Sequence, residues 1–183
     1  MNTSTPLLSA MSDSGSVVDW WFVYKVAGKA ISADGTDAKG DEYVYFDAAQ
    51  NGQIALSPHR ISSPTDGAVA NTLNQIYNNK DPNVGWFFYN DENPISGKTN
   101  GSRGHTKGVL CFNTVTNSAF WLIQSSPKFP SKAPYNYPTT AMGNAQTFLC
   151  ITLKDADTAR AIAQQMFVAQ QPNVYLASKV PLG

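Results

Sequence analysis

The sequence predicts an α/β sandwich, with helices packed around a mixed β-sheet, and three observations predict it. Short runs of apolar, β-branched and aromatic residues recur along the chain as strands do. Two segments change to a helical period, and the elements follow one another as ββαβββ and then βα. A chain of 183 residues, 42% hydrophobic and 14% charged, is long enough to bury one core. The expected organisation is a polar, flexible lead over residues 1–16 and a single domain over 17–183.

The elements read as follows. Val17 to Val26 is a near-continuous β-forming run, as for a strand covered on both faces, with Asp19 and Lys25 as its polar exceptions. Gly and Asp punctuate Ala27 to Asp41, a loop, before a second strand over Glu42 to Phe46. Val69, Leu73, Ile76 and Tyr77 fall at helical spacing, with Ser63 to Asp66 offering capping residues in front. Val84 to Tyr89 returns to strand character, and Asn90 to Arg103 is a long polar loop. Lys107 to Asn113 and Ala119 to Gln124 form a hairpin. Pro127 to Gly143, with four prolines, wraps the surface without regular structure. Thr147 to Leu153 is a further buried strand. Ala159, Ile162, Ala163, Met166 and Phe167 mark one face of a helix opened by Asp155 or Asp157.

Composition limits the function. Thirteen Lys plus Arg balance thirteen Asp plus Glu, so any nucleic-acid site must be local. Acidification would make the same surface cationic and strengthen phosphate contacts. No apolar run is long enough to span a bilayer, so a membrane is not an expected partner. The lead lacks the basic start and apolar run of a secretory signal, which predicts a cytoplasmic chain unless a signal has been removed. Cys111 and Cys150 have no metal-ligand spacing and are expected to be buried free thiols.

The search for a nucleophile or general base is short, because the chain has two histidines. His59 stands among turn residues and reads as a solvated loop position. His105 stands where the long loop meets a strand, and Lys107 shares its face if the strand has already begun. An imidazole beside an ammonium makes a phosphate site: one attacks phosphorus, the other binds a phosphate oxygen. Gly104 and Gly108 would let a phosphate approach the backbone. Alone, His-x-Lys is a weak signal that occurs often by chance, and a surface strand end is the commoner explanation of it. Trp20, Trp21, Trp86 and Trp121 lie inside apolar runs and are read as core, not as base-stacking platforms.

Five blocks add to this reading. Val18-Asp-Trp-Trp-Phe-Val-Tyr-Lys25, Gly85-Trp-Phe-Phe-Tyr-Asn-Asp91, Arg103-Gly-His-Thr-Lys-Gly-Val-Leu110, Phe120-Trp-Leu-Ile-Gln-Ser-Ser-Pro-Lys-Phe-Pro130 and Gly143-Asn-Ala-Gln-Thr-Phe-Leu-Cys150 resemble, in order, successive blocks of the deoxyribonuclease II family. That family is similar to the phospholipase D superfamily, whose site combines two His-x-Lys motifs from two pseudo-symmetric halves. The resemblance implies a phospholipase D-like half domain and metal-independent cleavage of DNA at acidic pH without a cofactor. One histidine would form a phosphohistidine and the other would act as acid and base, leaving 3′-phosphate ends. His105 and Lys107 are the expected catalytic pair, and Arg103 and Lys128 the expected contacts to backbone phosphates.

The sequence also departs from these patterns. The phospholipase D motif would have an acid where Phe112 stands. The animal enzymes carry a histidine at the position of Gln124 and an asparagine at that of Lys128. The family partner of Cys150 would fall at Ala10, which cannot form a disulfide. Family members are about twice as long, so the second motif is expected from a C-terminal half or from a homodimer mate. The alternative is a nucleic-acid-binding or interaction domain of the same fold without turnover. A phosphodiesterase acting on a lipid or small ester is a third.

Overall fold

The computed structural model describes residues 7–29, 37–50 and 53–180. Strands β1 (Ala10–Met11) and β2 (Val17–Val18) form a small hairpin. The main sheet is built from β3 (Trp20–Lys25), β4 (Tyr43–Asp47), β5 (Ala55–Leu56), β6 (Val84–Asn90), β7 (Lys107–Asn113), β8 (Ser118–Gln124), β9 (Gln146–Leu153) and β10 (Val174–Ala177). Helix α1 (Ala68–Tyr77) lies between β5 and β6, and α2 (Ala156–Ala169) between β9 and β10. The strand order is β10-β6-β7-β8-β9-β3-β4-β5.

The α/β sandwich stands, but its sheet is antiparallel in every pairing and not mixed. Parallel neighbours need a crossover between adjacent strands. Here both helices link strands that are not neighbours, while β6 to β9 simply meander. Side chains alternate across this sheet. Val109 and Cys111 join Val69, Leu73 and Ile76 of α1 in one cluster, whereas Leu110 and Phe112 join Ala159 and Ala163 of α2 in another. Covered on both sides, β7 is buried at all seven positions.

Helix α2 packs on β7, β8 and β9. The outer face of β3 is therefore only half covered, contrary to the expectation of two covered faces. Trp20 and Phe22 compensate by packing on Phe46, with ring centroids 5.8 and 5.2 Å apart. On the inner face Lys25 is fully buried, and its ammonium donates to the carbonyls of Val26, Gly40 and Met142 at 2.9, 2.7 and 3.2 Å. Burial pulls its pKa down to about 8, although Asp41 and Glu42 act in the opposite direction.

The lead is not a flexible tether over residues 7–16; residues 1–6 lie outside the described part. Ser9, Ala10 and Ser12 are buried. Too short to join the sheet, the segment satisfies its amides with side chains: Leu8 donates to Ser118 Oγ, Ala10 to Thr152 Oγ1 and Met11 to Thr72 Oγ1 at 3.0, 2.8 and 3.0 Å. Asp13 then caps α1 from a distance, accepting from the Ala68 amide at 3.0 Å and from Tyr43 Oη at 2.5 Å. The expected local cap at Ser63 to Asp66 gives way to Gly67. At α2 the expected cap holds, with Asp155 Oδ1 accepting from the Thr158 amide at 2.7 Å.

Cys111 and Cys150 are buried free thiols, raised well above the usual range by burial. Among the described residues no helix is long and apolar enough to cross a membrane. The proline-rich segment carries one short 3₁₀ turn, Thr139–Ala141. Phe129 anchors it, fully buried against Tyr135, Tyr137 and Phe148.

Candidate active site

Asn90 pairs with Lys107 across β6 and β7, so both ends of the long loop meet at one corner of the sheet. The loop is closed on itself. Asn100 N donates to Asp91 O at 2.7 Å, Asn93 N to Lys98 O at 3.0 Å, and Glu92 bridges Thr99. At this corner Asp91 is buried, and its two carboxylate oxygens face two side-chain nitrogens. Oδ1 lies 2.5 Å from Lys107 Nζ and Oδ2 lies 2.7 Å from His105 Nδ1.

The carboxylate decides the tautomer. Partial burial pushes the Asp91 pKa up, but hydrogen bonds from Lys107 and His105 outweigh it and hold the group below the ordinary carboxylate range. An ionised carboxylate only accepts, so Nδ1 of His105 carries the proton and donates. In the neutral ring the lone pair then sits on Nε2. The His105 side chain is 82% exposed, whereas that of Lys107 is 4% exposed. One group of the pair is therefore presented to solvent and the other holds its support.

Lys107 has a second acidic neighbour, Glu92, at 3.5 Å. Its burial differs from the expectation of an ammonium open to a phosphate: the lysine lies in a row with Asn90 on β6 and Gln124 on β8, all buried on the α1 side. That row positions the next loop. Asn90 Nδ2 donates to the carbonyls of Ser126 and Phe129 at 3.1 and 2.8 Å, and Gln124 Nε2 to that of Phe129 at 2.7 Å. The loop so held carries Lys128, which is half-buried, while Arg103 stands exposed two residues before His105. Among the described residues neither Arg103 nor Lys128 makes an ion pair. His59 lies half-buried in a bend after β5, away from the β6–β7 corner that holds His105.

Asp91 is the residue that sequence reasoning missed. It was visible only as an acid at the end of a strand and as the last residue of the Gly85-to-Asp91 block, with no role attached to it. The Phe112 position is taken up by a ring that packs over Gly85 beneath α2. The glycines flanking the motif also serve another purpose than expected. A Cβ on Gly104 would collide with the Gln170 carbonyl at the end of α2, and one on Gly108 with the Leu122 carbonyl and Tyr89 Oη. They make room for the protein itself.

Comparison with known proteins gives a consistent result. The family profile described as Deoxyribonuclease II matches residues 9–182. A Burkholderia pseudomallei protein, provisionally named a deoxyribonuclease-2, is 42% identical over 92% of this chain and 47% of its own length. Deoxyribonuclease-2-beta of Rattus norvegicus is 34% identical over 93% of this chain and 47% of its length. Plancitoxin-1 of Acanthaster planci is 37% identical over 92% and 46%. The chain thus spans about half the length of the curated relatives it matches.

Proposed function

The chain belongs to the deoxyribonuclease II family, and on that premise we propose that it supplies one half of a metal-independent site that hydrolyses DNA phosphodiesters. The observation that carries the reading is the Asp91 carboxylate, bonded at once to His105 Nδ1 and Lys107 Nζ. It orients the imidazole, fixes its tautomer and offsets the positive charge that the ring acquires on attack.

His105 Nε2 forms a bond to phosphorus while the bond from phosphorus to the 5′ oxygen breaks. A second histidine donates the proton that the leaving 5′-hydroxyl needs. Water then attacks the phosphohistidine and loses its proton to that second histidine. The phosphorus–nitrogen bond breaks, and a 3′-phosphate end is released. Lys107 acts mainly by holding Asp91, and its remaining N–H can meet a phosphate oxygen approaching His105. Arg103, exposed beside His105, and Lys128 would contact backbone phosphates of the same strand.

The reaction needs two histidines in opposite protonation states. The other histidine here, His59, is followed by Arg60 and Ile61, so these residues hold a single His-x-Lys motif. The second would come from a homodimer mate, across a two-fold axis, or from a C-terminal half.

The test is plasmid cleavage at acidic pH in excess chelator, by the wild type and His105→Ala, with molecular mass measured by sedimentation. Cleavage by a wild-type dimer, absent in the mutant, supports two copies building one site. A monomer that cleaves only when a C-terminal half is added supports the other source. Activity abolished by the chelator, or surviving His105→Ala, overturns the mechanism.

A further inference from the structure

Next to this site lies a cleft that the chemistry above does not use. It has a volume of about 480 Å³ and is lined by the loop that joins Asp91 to His105 and by Asn173. Amides and hydroxyls line it together with Lys98, and among the described residues Lys98 is its one charged side chain and neither a carboxylate nor an apolar side chain joins the lining. That lining is unsuited to a protein partner's apolar anchor and suited to a ligand that is anionic and rich in hydrogen-bonding oxygens.

The cleft is built rigidly onto the site. Asn173 Nδ2 donates to Asn90 O at 2.7 Å, Asn90 N donates back to Asn173 O at 3.0 Å, and Asn100 Nδ2 donates to Asn173 Oδ1 at 3.2 Å. Ser102 Oγ donates to Asn100 Oδ1 at 2.7 Å. Asn100 N is also bonded to Asp91 O, so the wall of the cleft and the carboxylate behind His105 share one backbone. Arg103 follows directly on Ser102. A DNA strand carries a phosphate about every 3.4 Å of helix axis, so a strand held at His105 presents further phosphates to the loop that runs from Asp91 to His105 and lines this cleft.

We propose that the Lys98–Asn100–Asn173 cleft is a subsite for the sugar-phosphate backbone flanking the scissile bond, with Lys98 neutralising one phosphate. The subsite rests on the reading of the chain as a DNA-cleaving half-site. Its amides and hydroxyls bind backbone and not base edges, so it adds affinity and register without sequence preference.

The experiment measures binding of a short fluorescent DNA duplex by anisotropy, at acidic pH in chelator, over a series of salt concentrations. Every protein carries His105→Ala so that no probe is cut. Lys98→Gln should weaken binding several-fold and lower the salt slope by about 0.9, the share of one phosphate. Gly101→Phe adds a bulky ring to the lining of the cleft, at a position where a Cβ meets no atom of the described residues within 4 Å. It should weaken binding by about tenfold. Lys154→Gln, just past β9 at the other end of the sheet, should change neither quantity.

Unchanged affinity and slope in both cleft variants overturn the subsite and leave the nuclease reading intact. Absence of salt-dependent binding by the parent protein also overturns the subsite, whereas the nuclease reading falls only to the plasmid cleavage assay. A change in molecular mass in either cleft variant also overturns the subsite, because it makes the cleft a contact between chains.

Discussion

The Gln170 carbonyl occupies the space that a Cβ on Gly104 would need, and Gly104 N donates to the neighbouring Gln171 O at 3.3 Å. The end of α2 is thus the wall against which the backbone of His105 is set. Gly104→Ala must push that wall or the histidine aside. The expected result is a loss of about 1–3 kcal/mol of stability, with cleavage reduced about tenfold or more by displacement of the imidazole. Thermal melts and cleavage rates check it, and an unchanged rate would show that this contact does not place His105.

Asp91→Asn keeps the shape of the support and removes its charge. Lys107 is then left buried with Glu92, at 3.5 Å, as its one acidic neighbour among the described residues. The variant should lose about 3 kcal/mol of stability. Cleavage by the active assembly should fall on the order of a thousandfold, because Nδ1 loses its obligatory acceptor and the tautomer is no longer fixed. Nitrogen-15 spectra of the histidine ring should show Nδ1 protonated in the wild type and a mixture of tautomers in the variant.

The same carboxylate sets an acid limit. Its folded pKa is depressed, so its stabilisation is complete above the unfolded value of about 3.9 and is lost as pH falls through the lower folded value. The margin in melting temperature of the wild type over Asp91→Asn should therefore persist from neutrality to about pH 5 and shrink only below about pH 4. A margin that disappeared between pH 7 and 5 would contradict the hydrogen-bond assignment. Support for the imidazole thus survives in the acidic range where the family resemblance places the reaction.

Lys25 provides a test on the alkaline side. Lys25→Met leaves the Val26 and Gly40 carbonyls without this donor, while Met142 O keeps Gly28 N. The expected cost at neutral pH is about 2 kcal/mol. The folded pKa, about 8, lies below the unfolded value of about 10.4. Between these values the unfolded chain binds more protons, so the wild type should gain on Lys25→Met as pH rises through that window. Chemical denaturation at pH 7, 8.5 and 9.5 measures the gain.

Strands β6 to β9 and both helices were legible because their patterns run long enough to show a period. The edge strands β5 and β10 were not, since two to four residues show none and their pairing is dictated by β4 and β6. Strand direction was equally hidden: the order of elements does not reveal that α1 and α2 join strands that are not neighbours. Of the candidate site, His105 and Lys107 could be singled out by residue type. Asp91 could not, because its role depends on the register that sets Asn90 opposite Lys107. Gly104 and Gly108 were visible as glycines, but the Gln170 and Leu122 carbonyls that require them are contributed by distant segments.

Asp91, His105 and Lys107 all lie on one hairpin, with the histidine 14 and the lysine 16 residues beyond the acid. Any genetic event that copies this hairpin copies acid, imidazole and ammonium together, with their register intact. Duplication of a gene of this kind therefore delivers two matched copies of the cluster in a single step, each with its acid already in register behind its imidazole.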